Sequence, residues 1–250
     1  LRSSYVRQRK RSAEAKCLPP LLLRVRKGNR STFLRLRASN RCWLCSTIRG
    51  KSVVPIDQKT LQRWGSLVLG ACAYTVAFPP YEWTLFAWVA LVPLFLFLRT
   101  STLRSAFLAG FVYALLWCVG VTYWLYFTVT DDFALGFPLN FLFMFGNYAF
   151  FAGLPIGVVT LLSSLVLQRR NPWLGALGIP ALWVSGEVLR ANPAFGVSWG
   201  ILGYTQYQQL ALIQIADVTS VYGVSFLLAL GNYVVAEMWN WGQSKRQGTK

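Results

Sequence analysis

From Trp64 onward, long apolar stretches alternate with short polar interruptions. A bilayer core is about 30 Å thick, and a helix needs about 20 mostly apolar residues to cross it. Six stretches approach that requirement: about 61–78, 82–98, 103–127, 138–167, 173–190 and 219–241. The first two are short and meet at Pro79-Pro80, which leaves open a tight helical hairpin or two tilted spans. The pattern predicts an all-α integral membrane protein of about six transmembrane helices.

One stretch breaks the pattern. Phe195–Phe226, FGVSWGILGYTQYQQLALIQIADVTSVYGVSF, holds four glutamines, four glycines and one aspartate, and no lysine or arginine. Its apolar residues, Ile201, Leu202, Leu210, Leu212, Ile213 and Ile215, are interleaved with Trp199, Tyr204, Tyr207 and the amides. That mixture fits a loop or short helix in the membrane interface. Irregular backbone at membrane depth persists only when buried in protein or lining a cavity. The stretch is therefore expected either to wall a cavity or to serve as an interfacial connector.

Composition supports lipid as the solvent. Hydrophobic residues make up 55% of the chain and charged residues 13%, against about 25% charged in soluble domains. The net charge of +17 resembles a nucleic-acid signal until it is located. Seventeen of the Lys/Arg residues and only two acids fall in residues 1–63, so the basic character belongs to a tail and no nucleic-acid partner is expected. The tail is Arg- and Ser-rich and acid-poor, and reads as disordered: a transit peptide, translated upstream sequence or a cytoplasmic anchor. The domains follow as the tail 1–63, a membrane domain 64–241 and a basic cytoplasmic tail 242–250. Arg99 and Arg104, Arg169 and Arg170, and Lys245 with Arg246 fall in alternate connections. By the positive-inside rule both termini are cytoplasmic and 191–218 lies on the far side.

The chain contains no histidine, and no lysine lies between Trp64 and Ser244. This excludes His-based nucleophile pairs and most zinc sites from the membrane body, and no metal or cofactor is expected. Cys42 and Cys45 form one isolated C-x-x-C in the tail, while Cys72 and Cys118 sit in apolar runs as small buried hydrophobes. Glu187 and Arg190 are spaced to share a helix face, either as an interfacial ion pair or as a substrate contact. Asn147 and Asn232 are expected to bond neighbouring helices, and Gly153-x-x-x-Gly157 and Gly110-x-x-x-Ala114 to allow close helix approach.

The late block resembles the apolipoprotein N-acyltransferase family. The residues that carry the resemblance are Pro180-Ala-Leu-Trp183 with Glu187 and Arg190, Gly196-Val-Ser-Trp199, Leu202-Gly-Tyr-Thr-Gln206, Ile213-Gln-Ile-Ala216 and Val221-Tyr-Gly-Val-Ser-Phe226. Ala77–Arg99 and Phe107–Phe127 resemble the family's first hairpin and third helix. Ser198 departs from a proline common in the family. The resemblance implies transfer of an acyl chain from phospholipid to the N-terminal cysteine amine of a diacylated lipoprotein, in the bacterial inner membrane, or in an organellar membrane if the tail is a transit peptide. It also implies a nitrilase-like domain with a Glu-Lys-Cys triad, to which no residue here is assigned. This chain alone is expected to catalyse nothing. The lipid-access candidates by resemblance are Glu187, Arg190, Gly196, Trp199, Gly203, Tyr204 and Gln206.

Two other classes remain. One is a non-catalytic module that binds lipid or partners a separate nitrilase-like subunit. The other is a small transporter, weakened by the scarcity of charges within the helices and the lack of a visible inverted repeat.

Overall fold

The computed structural model describes residues 23–27, 30–34, 58–192 and 198–248. The chain divides into two units, Leu1–Pro55 and Ile56–Lys250. In the first, β1 (Leu23–Lys27) and β2 (Arg30–Leu34) pair antiparallel, with Leu23 opposite Leu34 and Lys27 opposite Arg30. The local alternation of apolar and basic positions in LRVRK is a strand-like period; the rest of the tail read from composition as disordered, up to residue 57, lies outside the described residues.

The described residues of the second unit are helical. They comprise α1 (Gln58–Val76), a 3-10 turn Thr84–Trp88 leading into α2 (Val92–Leu98), α3 (Leu103–Val121), and α4 (Trp124–Phe127) running into a π-turn at Thr128–Asp132. Then follow α5 (Leu139–Asn147), a π-turn Tyr148–Gly153, α6 (Leu154–Gln168), α7 (Pro172–Ala191), a 3-10 turn Leu202–Gln206, α8 (Leu210–Ile213) and α9 (Ala216–Gly248). Leu103–Val121, Leu139–Gln168 and Ala216–Arg246 are long and apolar enough to cross a membrane. The first and fifth segments form helices of 19 and 20 residues, and Thr84–Leu98 is a shorter apolar helix.

That short segment is broken because Val89 leaves helical geometry (φ −128°, ψ −6°). Polar side chains from other helices satisfy the freed backbone groups. Asn232 donates to the Ala87 carbonyl and accepts from the Leu91 N–H, both at 2.8 Å. The Tyr113 hydroxyl lies 3.1 Å from the Ala90 carbonyl and 3.2 Å from that of Gly70. Asn232 thus bonds across helices as expected, whereas Asn147 bonds back to the Phe143 carbonyl of its own helix. The π-turn at Tyr148–Gly153 shifts the register of the fourth segment and brings the Tyr148 hydroxyl to 3.1 Å from the Thr122 carbonyl.

The small-residue spacings mark a close contact. The Phe111 and Phe107 rings lie against the positions a side chain would take at Gly153 and Gly157, and Thr160 occupies that space beside Gly110. The Thr160 hydroxyl also reaches the Ala106 carbonyl at 2.9 Å, tying α6 to α3.

The two ends of the bundle differ. At one, Arg99 pairs with Glu237, Gln168 donates to the Ser101 carbonyl at 3.0 Å, and Tyr233 donates to the Pro172 carbonyl at 3.3 Å. The connections carrying Arg99, Arg169 and Arg170 therefore gather there. The opposite end carries Pro79–Trp83, Trp124 and the segment 198–215, joined by the contacts described next.

Candidate functional site

Glu187 and Arg190 lie on the inward face of α7, which starts on an Asn171 cap that accepts from the Trp173 and Leu174 N–H groups. Their side chains are 0% and 1% exposed. The expected interfacial ion pair is not what forms: among the described residues no salt bridge joins them. Instead each binds the segment that follows α7. Glu187 Oε1 accepts from the Leu202 N–H at 2.8 Å and from Trp183 Nε1 at 3.0 Å. Arg190 Nη2 donates to the Trp199 carbonyl, and its guanidinium lies 4.8 Å from the centre of the Trp117 ring. The i, i+3 spacing correctly put both on one face, but that face turns into protein.

Other helices grip the same segment. The Tyr74 hydroxyl donates to the Gly200 carbonyl at 2.8 Å, the Gly203 N–H donates to Ser225 Oγ at 2.8 Å, and Gln206 Nε2 donates to the Thr84 carbonyl at 3.0 Å. Glycine is needed twice here. Gly200 has φ +70° and packs on the Trp117 ring, and a side chain at Gly203 would run into the Val221 carbonyl. Residues Ile201–Gly203, Thr205 and Gln206 are buried. Residues 199–206 of the glutamine-rich stretch are therefore a turn held inside the bundle, with backbone polar groups bonded to side chains of α1, α7 and α9. This is the condition that a low-dielectric surrounding imposes.

Of the candidates read from sequence, Glu187, Arg190, Gly203 and Gln206 belong to this clamp. Trp199 and Tyr204 remain 44% and 46% exposed. Gly196 lies outside the described residues. Beyond Gln206 the stretch is mostly exposed; Tyr207 and Gln208 donate to the two carboxylate oxygens of Glu82, itself at φ +58°. The hydrogen bond to this carboxylate raises the Tyr207 pKa above the ordinary tyrosine value.

Trp199 meets Trp124 edge-on, with ring centres 4.9 Å apart. Beside them the end of α3, α4 and α5 enclose an apolar crevice of about 470 Å³, lined by Val119, Tyr123, Tyr126, Phe127, Phe141, Met144, Phe145 and Tyr148. A smaller cavity of about 40 Å³ lies inward of it, shares Tyr148, and is bordered by Arg190, Asn147, Thr122 and Trp199. Arg190 Nε and Nη1, Trp117 Nε1 and Glu187 Oε2 are buried without a hydrogen-bond partner. A pocket of that size with such a lining is suited to ordered water.

The crevice residues escaped the sequence reading because aromatic residues in apolar helices look alike whether they face lipid or a cavity. The density of rings in Tyr123–Phe127 was the available signal. Nothing in the sequence marked Ser225 or Tyr74 as partners of the turn.

Residues 70–234 match the apolipoprotein N-acyltransferase N-terminal domain. The chain belongs to that family. The apolipoprotein N-acyltransferase of Geobacter metallireducens is 37% identical over 180 residues, covering 67% of this chain and 32% of that protein. That of Pseudomonas aeruginosa is 34% identical over 169 residues, covering 66% and 32%. Apolipoprotein N-acyltransferase 1 of Treponema denticola is 28% identical over 165 residues, covering 64% and 28%. The chain thus aligns with about a third of the length of these relatives, and it is the membrane domain of an N-acyltransferase-like protein.

Proposed function

We propose that this membrane domain admits the acyl chain of a phospholipid donor from the far leaflet of a bacterial inner membrane and presents it for transfer to a diacylated lipoprotein amine. The observation that carries the reading is the apolar crevice beside Trp199 and Trp124. Its volume and its aromatic and aliphatic lining suit a hydrocarbon chain. It lies at the end of the bundle that carries the clamped turn, whose Trp199 borders the adjoining smaller cavity. The names of the relatives supply the reaction class.

In this reading the residues divide in two. Trp199, Tyr204 and the crevice side chains touch lipid. Glu187, Arg190, Gly203 and Gln206 fix the turn that carries Trp199. No group of the membrane body takes the role of nucleophile. Cys118 is buried within α3, and no lysine lies between Trp64 and Ser244 to activate either helix cysteine. In this reading all six apolar segments enter the bilayer, and Leu103–Val121, Leu139–Gln168 and Ala216–Arg246 have full spanning length.

The test uses a full-length protein that contains this domain. Met144→Trp fills the crevice, and Trp199→Ala opens the smaller cavity beside it. Both are expected to raise KM for phospholipid and lower kcat/KM for acyl transfer about ten-fold or more, the scale of losing 1.4 kcal/mol or more of binding, with thermal unfolding unchanged. Normal turnover in Met144→Trp with an intact fold would sink the proposal.

A further inference from the structure

A second hollow lies toward the other end of α3. Leu103, Arg104, Phe107, Leu108 and Leu161 line a shallow, open groove of about 390 Å³ between α3 and α6. Its floor exists because the Phe107 ring lies over Gly157, where any side chain would displace it. Leu103, Leu108, Leu162 and Leu165, in and around it, are exposed hydrophobics. Arg104 is the one charged group in the lining.

The charge around the hollow is unbalanced. Glu237 is already paired with Arg99. Arg63 donates to the Phe97 carbonyl and lies over the Phe97 ring. Among the described residues no carboxylate pairs with Arg104. Arg169 and Arg170, which follow α6, are exposed, and the Gln168–Ser101 hydrogen bond holds the end of α6 beside the start of α3. The positive end of the 19-residue α3 adds to the same potential. The surface therefore joins an apolar hollow to a cation that has no carboxylate partner among the described residues.

We propose that this hollow binds one acyl chain of an anionic glycerophospholipid from the leaflet facing the basic loops, with Arg104 holding its phosphate. Basic pockets between helices on that side of a membrane favour anionic head groups, at about 1 kcal/mol per Lys or Arg. The site lies at the opposite end of α3 from the aromatic crevice and does not depend on the reading of that crevice as a donor site. Its occupant is a resident lipid that fastens α3 to α6 and is not consumed.

The test is photo-crosslinking of the full chain in neutral detergent micelles, with phosphatidylglycerol or phosphatidylcholine carrying a diazirine in mid-chain. Labelled peptides are mapped by mass spectrometry. Phosphatidylglycerol is expected to label the Leu103–Leu108 and Leu161 peptides about five-fold more than phosphatidylcholine, the factor that one basic residue supplies. Arg104→Gln should remove most of that preference, and Arg104→Lys should restore most of it. Leu161→Trp should remove the label from these peptides with either lipid. The preference is read relative to that of the aromatic-crevice peptides in the same protein, which carry the same tail and loop charge. Equal labelling by the two lipids in the wild type, or a preference that survives Arg104→Gln, overturns the proposal. A dimer by native mass spectrometry that Leu161→Trp dissociates assigns the hollow to a second copy of the chain and overturns it as well.

Discussion

Glu187→Ala tests the clamp most directly. The substitution removes the single acceptor shared by the Leu202 N–H and Trp183 Nε1, both inside the bundle. An orphaned buried donor costs about 1–3 kcal/mol, so two give roughly 2–6 kcal/mol. Hydrogen bonds between membrane helices average nearer 0.6 kcal/mol, because the loosened state finds other partners. The Leu202 N–H belongs to a 3-10 turn rather than to a helix, and has no intrahelical carbonyl to fall back on. A loss near 2 kcal/mol is therefore expected, or about 4–8 °C in Tm for a domain of this size. Glu187→Gln keeps an acceptor at Oε1 and should lose less than half as much. The assay is thermal unfolding in detergent, followed by a thiol-reactive fluorophore. Cys118 is buried and becomes reactive only when α3 opens, while Cys72, read from sequence as buried, is exposed; Cys72 and the tail cysteines Cys17, Cys42 and Cys45 are replaced by serine beforehand. Equal Tm values for Glu187→Ala and the wild type would refute the reasoning. So would a Gln variant as damaged as the Ala variant, which would mean that charge, and not the acceptor, holds the turn.

Three further outcomes follow from the same contacts. Asn232→Leu leaves the Leu91 N–H and the Ala87 carbonyl without partners and should cost about 1–3 kcal/mol, read as faster amide exchange confined to 87–92. Gly110→Leu forces a side chain into the space of Thr160 and should lower stability by about 1–3 kcal/mol as overpacking, whereas Gly136→Leu, in open space, should not change Tm. Tyr207 is favoured in its protonated form by the carboxylate of Glu82. Its contact is therefore complete at neutral pH and is lost only as pH rises through the raised value, above the ordinary tyrosine pKa of about 10. The difference in 295 nm absorbance between wild type and Tyr207→Phe should titrate in that range, and Glu82→Gln should move it back down.

Periodicity and charge located most of the helices. The segments read at 173–190 and 138–167 correspond to Pro172–Ala191 and Leu139–Gln168, because spanning length and apolar content are local properties of the chain. The alternation of arginines anticipated which connections meet at one end, because the charge sits beside the helix termini that it marks. The late motif block identified the family. The hidden features all involve pairing at a distance. The break at Val89 is stable because Asn232, far along the chain, completes it. Glu187 and Arg190 have the spacing of an ion pair, yet each binds backbone of the following turn. The crevice depends on packing that sets the rings of α5 opposite Val119 of α3, Tyr123 and the rings of α4. Sequence alone thus determined which residues form long apolar helices and which family the chain resembles, since both follow from local hydropathy and motif. Only the tertiary structure decided which polar groups hold the turn and which rings enclose a space, since a buried donor is satisfied by whichever acceptor the packing brings within reach.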